Sequence, residues 1–207
     1  ENGAEFVRLV KERSGLDLDV ISGEEEAAAG LYGALNGKAG GIIDVGGASS
    51  EVTVSDGNAI VYAKSLDLGA VRITEMSGGD FAATRALIAE RLPLYGKIPQ
   101  TQMTAIGGTA TSIVALEKKL TVYDPRQVHG TVLSAEQVEN WAEKLLRMSQ
   151  EERLALPGMD PRRADILGGG AMLLAMIARY AGVRKLRVSE ADNLEGYIAL
   201  RLREDAI

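Results

Sequence analysis

Apolar residues recur at helical spacing from Glu5 to Arg13, where Phe6, Leu9 and Val10 share a face and Gly15 acts as a stop. Such a helix needs something to pack against. Leu16, Leu18 and Val20 alternate with Asp17 and Asp19, which predicts a short strand. Glu24 to Leu35 reads as a helix closed by Asn36-Gly37. From Gly40 the pattern becomes strand-rich: strands are predicted at Ile42–Val45, Glu51–Val54 and Ala59–Leu66, the last two joined by an Asp56-Gly57 hairpin signal. Asp80 caps a helix that Pro93 ends. Met103–Ile106 reads as a strand running through Gly107-Gly108 into a helix ending at Leu116. Ser134 with Gln137 and Ser149 with Glu152 fit capping boxes. Asp160-Pro161 opens a long helix reaching Tyr180, and a strand at Leu186–Val188 precedes a helix from Leu194 to Arg203. The order β-β-β-α-β-α, then helices, then β-α, predicts a mixed α/β domain over residues 38–207, with 1–37 as the tail of another unit.

Composition narrows the chemistry. The 207 residues are 46 % hydrophobic and 25 % charged, enough apolar surface to form a core. There is no cysteine and one histidine, His129, so thiolate chemistry and multi-histidine metal sites are excluded. A formal charge of −6 argues against a nucleic-acid partner. No apolar run is long enough for a membrane span and no secretory signal is recognisable, so a cytoplasmic protein is expected.

Two glycine-rich turns follow strands. In Ile43-Asp44-Val45-Gly46-Gly47-Ala48-Ser49-Ser50-Glu51 an acid stands on each side of the turn. Backbone N–H groups there can converge on one anion, with Asp44 and Glu51 placed to hold Mg²⁺ directly or through water. A plain hairpin turn explains the glycines alone; the flanking acids make the phosphate reading at least its equal. Ile106-Gly107-Gly108-Thr109 opens a helix, whose N-terminus favours anions. Alone it is a tight strand-to-helix turn, but two such turns in one domain say more than either. Glu24 and Glu25 suit a solvated first turn. Above Glu26, by contrast, the face holds Ala29, Gly30 and Gly33, stripped for close approach of another backbone. Arg72 can neutralise a phosphate, although an exposed helical arginine is the commoner case. His129 suits a structural hydrogen bond, Trp141 the core, and Gly168-Gly169-Gly170 close helix packing.

Seven segments in order resemble the exopolyphosphatase / guanosine pentaphosphate phosphohydrolase family. They are Val20–Ala27, Ile43–Glu51, Leu68–Arg72, Gly107–Thr111, Val128-His129-Gly130, Pro157-Gly158 with Arg163-Ala164-Asp165, and Ser189 with Glu195-Gly196. The resemblance implies a ribonuclease-H-like domain of the actin-like ATPase superfamily, with a mixed sheet flanked by helices. This would be the second half of a two-domain cleft. The family's Asp-x-Gly-Ser loop is expected upstream, and residues 1–37 are expected to belong to or bridge from that missing half. By the same resemblance Glu26 is the catalytic general base. Asp44 and Glu51 surround Mg²⁺, and Gly46, Gly47, Ser49 and Ser50 form a phosphate loop beside Gly107, Gly108 and Thr109. Two departures stand out: Ala48 replaces a loop glycine, and Leu194 replaces an arginine.

The implied activity is release of terminal phosphate from polyphosphate or a phosphorylated guanosine nucleotide, with little turnover by this chain alone. An actin-like ATPase or kinase ranks second, since no adenine pocket is recognisable. A non-catalytic polyphosphate or alarmone binder ranks third, suggested by Ala48 and Leu194. The expected partners are the substrate and the missing half, with homodimerisation left open.

Overall fold

The computed structural model describes residues 2–204, with side chains through residue 202. Glu1, and residues 205–207 at the end of the predicted second domain, lie outside the described residues. Helices α1 (Gly3–Ser14) and α2 (Gly23–Leu35) precede strands β1 (Gly40–Val45), β2 (Ser50–Ser55) and β3 (Ile60–Leu66). Helices α3 (Ala70–Ser77) and α4 (Phe81–Arg91), strand β4 (Met103–Ile106) and helices α5 (Gly107–Glu117) and α6 (Pro125–Val128) follow. Strand β5 (Val132–Ser134), helices α7 (Ala135–Arg147), α8 (Gln150–Leu154) and α9 (Leu167–Tyr180), strand β6 (Lys185–Val188) and helix α10 (Asn193–Glu204) complete the chain. No helix among the described residues is long and apolar enough to cross a membrane.

The strands form one mixed sheet in the order β3-β2-β1-β4-β6-β5. Strands β1, β2 and β3 are antiparallel neighbours, β4 and β6 run parallel to β1, and β5 returns antiparallel on the edge. Alternation divides the faces. Ile43, Val45, Val52, Val54, Met103 and Ala105 point into a large core with α3, α4, α5, α7 and α9, while Ile42 and Ile106 meet Leu31 of α2 on the other face. The latter face therefore also receives Asp44, two residues after Ile42.

Helix α2 is capped as expected at such a terminus: Ser22 and Glu25 form a capping box. It lies on the sheet beside α10. The two helices meet backbone to backbone, because a Cβ on Gly33 would clash with the Asp192 carbonyl and one on Gly196 with the Ala29 carbonyl. The glycine-stripped face of α2 is the face against α10. On the opposite side of the sheet, Gly170 of α9 lets Ala70 and Thr109 approach its backbone, so the N-termini of α3 and α5 converge.

Four expectations differ from the structure. Residues 16–20 are not a strand; they are largely exposed, and no neighbouring strand offers a ladder. The long helix from Pro161 is instead a short 3₁₀ turn, Pro161–Arg163, followed by a separate α9. Arg153 causes the break by donating to the carbonyls of Ala164 (3.2 Å) and Asp165 (3.4 Å), acceptors a continuous helix would use itself. Ala48 has no positive φ, so the loop needs no glycine at that position. Trp141 is partly buried against the core rather than within it, its indole donating to Glu117 at 2.6 Å.

Gly33→Ala and Gly196→Ala should each destabilise the protein by about 1–3 kcal/mol through overpacking. Gly23→Ala, which meets open space, should change stability little. Urea denaturation midpoints of the three variants test this contact directly.

Candidate functional site

The sheet register builds a row of polar groups on the α2 face. Asp44 of β1 lies opposite Glu51 of β2, and Glu51 lies opposite Ser65 of β3. Directly opposed like charges repel; the Ser65 hydroxyl partly offsets this by donating to Glu51 Oε1 at 2.7 Å. Glu26, on the first turn of α2, overhangs the row. Together with Gly23, Ile42, Thr53 and Asn193 these groups line a cleft of about 120 Å³. Glu26 stays accessible at its mouth.

Charge is crowded here. Burial, and then the carboxylates of Glu51, Asp192 and Glu26 in that order, push the Asp44 carboxyl up to about 7. Gly107 completes the wall: its φ of +77° and the proximity of the Asp44 carboxylate exclude any side chain. Among the described residues no three acidic or imidazole groups come close enough to chelate a metal by themselves.

The Gly46–Ser49 turn leaves β1 after Val45, one residue beyond Asp44. Its carbonyls face inward: Gly46 O accepts from Ala70 N (2.8 Å), Gly47 O from Val71 N (2.9 Å), and Val45 O from the Thr109 hydroxyl (2.9 Å). Gly69 must be glycine because the Gly47 peptide and Ser49 N occupy the space of its Cβ. The N–H groups of Gly47, Ala48 and Ser49 donate to no acceptor among the described residues, and Gly47 and Ala48 are exposed. Helix α5 likewise starts without a side-chain cap, so the N–H groups of its first turn lack intrahelical partners.

The predicted residues thus divide. Glu26, Asp44 and Glu51 share the cleft, Gly107 touches it, and the 46–49 and 107–109 turns abut through Thr109. The Ser50 hydroxyl is not brought there; it is buried and hydrogen-bonded to the Tyr95 hydroxyl at 2.8 Å. The Thr109 hydroxyl is spent on Val45. Arg72 sits on α3, half-exposed and paired with Asp67 at 3.3 Å, outside the cleft. His129 accepts the Glu190 N–H through Nδ1 at 3.3 Å, a structural role. The exposed Leu194 does not line the cleft.

Sequence reading missed Arg163, Asp192, Asn193 and Ser65 as site residues. The Arg163 guanidinium packs over Gly108 at the start of α5, bordering a larger cleft of about 510 Å³ that also includes Thr111, Ser112 and Tyr123. No ion-pair partner is formed by Arg163 among the described residues. The Arg163-Ala164-Asp165 segment was a signal; the helix predicted across it hid the arginine's direction.

The model of the Ppx/GppA phosphatase family matches residues 1–203. The chain belongs to this family. Exopolyphosphatase 2 of Mycobacterium tuberculosis is 35 % identical over 204 residues, covering 89 % of this chain and 63 % of that protein. The guanosine-5'-triphosphate,3'-diphosphate pyrophosphatase of Vibrio cholerae is 25 % identical, covering 95 % of this chain and 41 % of that protein. The chain therefore spans less than two thirds of these curated relatives. The crystal structure of the Aquifex aeolicus Ppx/GppA family member superposes with a TM-score of 0.85 at 26 % identity, covering 99 % of this chain and 71 % of that one. The mixed sheet flanked by helices is the ribonuclease-H-like domain of the actin-like ATPase fold.

Asp44 provides a pH test in metal-free buffer. The folded state holds this proton more tightly than the unfolded chain, whose value is near 3.8. Its contribution to stability is complete below that value and is lost as pH rises through about 7. Asp44→Asn should therefore exceed wild type at pH 8 by roughly 2 kcal/mol, allowing for solvent screening at the open cleft. The difference should vanish near pH 4, read from urea melts at both pH values.

Proposed function

We propose that the intact protein is a phosphoanhydride hydrolase that releases the terminal phosphate of inorganic polyphosphate or of a guanosine pentaphosphate-type nucleotide. The observation carrying this reading is Glu26 facing Asp44 and Glu51 across one cleft, next to a turn with unused N–H groups. The relationship to an exopolyphosphatase at 35 % identity supports polyphosphate as the first substrate to try.

In this reading the N–H groups of Gly47, Ala48 and Ser49 and of the α5 start receive the terminal phosphoryl oxygens. Arg163 adds a cation at the same helix start. Glu26 is the general base. It takes a proton from a water whose oxygen bonds to phosphorus, while the bridging P–O bond breaks and its electron pair stays on the leaving phosphate. Positioning and charge neutralisation supply most of the catalysis.

The carboxylates also fit a magnesium ion. A buried carboxyl raised to about 7 by its acidic neighbours is an oxygen donor short of a counter-charge. Magnesium characteristically uses only one or two carboxylates, completing its shell with water and phosphate, so a three-acid chelate is not required. Asp44 and Glu51 would hold it, and when bound it would supply positive charge against the phosphoryl oxygens. We infer that the remaining wall of the cleft comes from a companion domain, the fraction of the relatives' length that this chain does not span. The 207 residues alone should then turn over little.

In the intact protein, Glu26→Gln should lower kcat for phosphate release from polyphosphate by about 10²–10⁴-fold, with KM little changed. Unchanged release would remove Glu26 from the chemistry. Arg163→Gln should instead raise KM several-fold, measured in the same phosphate assay.

A further inference from the structure

Among the described residues that line the cleft, two side chains are neither apolar nor acidic nor already spent on a carboxylate: the Thr53 hydroxyl and the Asn193 carboxamide. Glu26, Asp44 and Glu51 supply only acceptors when ionised, and the Ser65 hydroxyl is already donated to Glu51. Asn193 is the only cleft-lining side chain that carries N–H donors. Its carboxamide is half-buried and makes no hydrogen bond among the described residues.

Its position is tightly specified. Glu26 and Gly30 are four residues apart on α2 and so share one face. The missing Cβ of Gly30 leaves a notch, and the Asn193 carboxamide occupies it. Glu26 and Asn193, whose carboxamide oxygen reaches that notch, both line the cleft. Asn193 begins α10, whose backbone is locked to α2 at Gly33 and Gly196. The preceding residue is fixed as well: Asp192 Oδ1 accepts from Leu194 N at 3.0 Å, and Asp192 N donates to Glu195 Oε2 at 3.1 Å. A half-buried amide held this firmly yet unpaired has hydrogen-bonding capacity to spare for a molecule in the cleft.

We propose that Asn193 is a positioning residue that orients the attacking water for Glu26. The proposal rests on the hydrolase reading above. A water surrounded by carboxylates can donate to several of them and has no fixed direction. One hydrogen goes to Glu26, which accepts the proton as the water oxygen bonds to phosphorus and the bridging P–O bond breaks. The Asn193 N–H donates to one lone pair of the water and leaves the other pointed at phosphorus. Removing the donor leaves the base and the phosphate sites in place but loosens the attack geometry, so the loss falls on kcat rather than KM.

The test is steady-state phosphate release from inorganic polyphosphate by the intact protein with magnesium. The variants are Asn193→Leu, Asn193→Asp and Glu26→Gln. Asn193→Leu removes every polar atom. Asn193→Asp keeps the shape that fits the Gly30 notch but loses the donors, which covers failure of the leucine variant to fold. Both Asn193 variants should lose about 10–100-fold in kcat with KM within about twofold. If Glu26→Gln abolishes release while Asn193→Asp keeps wild-type kcat, or loses activity through KM alone, the positioning role is overturned and the hydrolase reading stands. If Glu26→Gln leaves release intact, Glu26 is not the base and this proposal falls while the hydrolase reading stands; if the wild type itself releases no phosphate from polyphosphate, the hydrolase reading falls and this proposal falls with it.

Discussion

The site depends on one backbone-to-backbone contact. Helices α2 and α10 touch where Gly33 and Gly196 have no side chains, on the same sheet face that Ile42 and Asp44 share. Larger residues at either glycine would push the helices apart. Glu26 would then move off the Asp44–Glu51 row and Asn193 out of its notch. Apolar burial between helix and sheet, through Leu31, Ile42 and Ile106, supplies the attraction. The glycines set the distance at which it is satisfied.

Across the sheet a second set of close approaches fixes the loops. Gly170 of α9 admits Ala70 and Thr109, and Gly69 admits the Gly47 peptide. The carbonyls of residues 45–47 are consumed by Thr109 and by the start of α3. The same turn thereby keeps its N–H groups outward and unpaired. The outward N–H groups at this loop come from the way the carbonyls are spent rather than from unusual φ values. The cost sits nearby: the carboxylates of Glu51, Asp192 and Glu26 all raise the proton affinity of Asp44, and the cleft-lining side chains among the described residues include no cation. Such a cluster is a stability liability, which the magnesium ion of the proposed function would offset.

Much of this was legible in the residues. Short apolar or β-branched runs bounded by glycine turns marked β1 to β4 and β6, although β1 and β4 are buried on both faces and β3 is largely exposed. Gly30 and Gly33 above Glu26 announced a close neighbour for α2. The capping boxes at Ser134 and Ser149 are present, with Gln137 N and Glu152 N donating to the serine hydroxyls at 3.0 and 3.2 Å. Other features depend on long-range partners that no local pattern carries. Strand β5 has three residues and exists because β6 is there to pair with it. The alternation at Leu16–Val20 imitates a strand but lacks a partner. Helix α3 buries only Ala70 and Ile73, too few for a periodic signal. Ser50, Thr109 and Arg72 have side-chain chemistry suited to phosphate, yet the fold commits them to Tyr95, Val45 and Asp67. Conversely Asn193, just before the helix predicted from Leu194, carries no local signal, and only the packing of α10 on α2 turns it toward the cleft.

The account's central claim is that the carboxylate of Glu26 and the outward N–H groups of Gly47 to Ser49 address one phosphoryl group. A crystal structure of the intact protein with magnesium and orthovanadate tests it most directly. The account predicts vanadate oxygens within hydrogen-bonding reach of those N–H groups and Glu26 directed at the vanadium. Vanadate bound away from this turn, with Glu26 directed into bulk solvent, would contradict it.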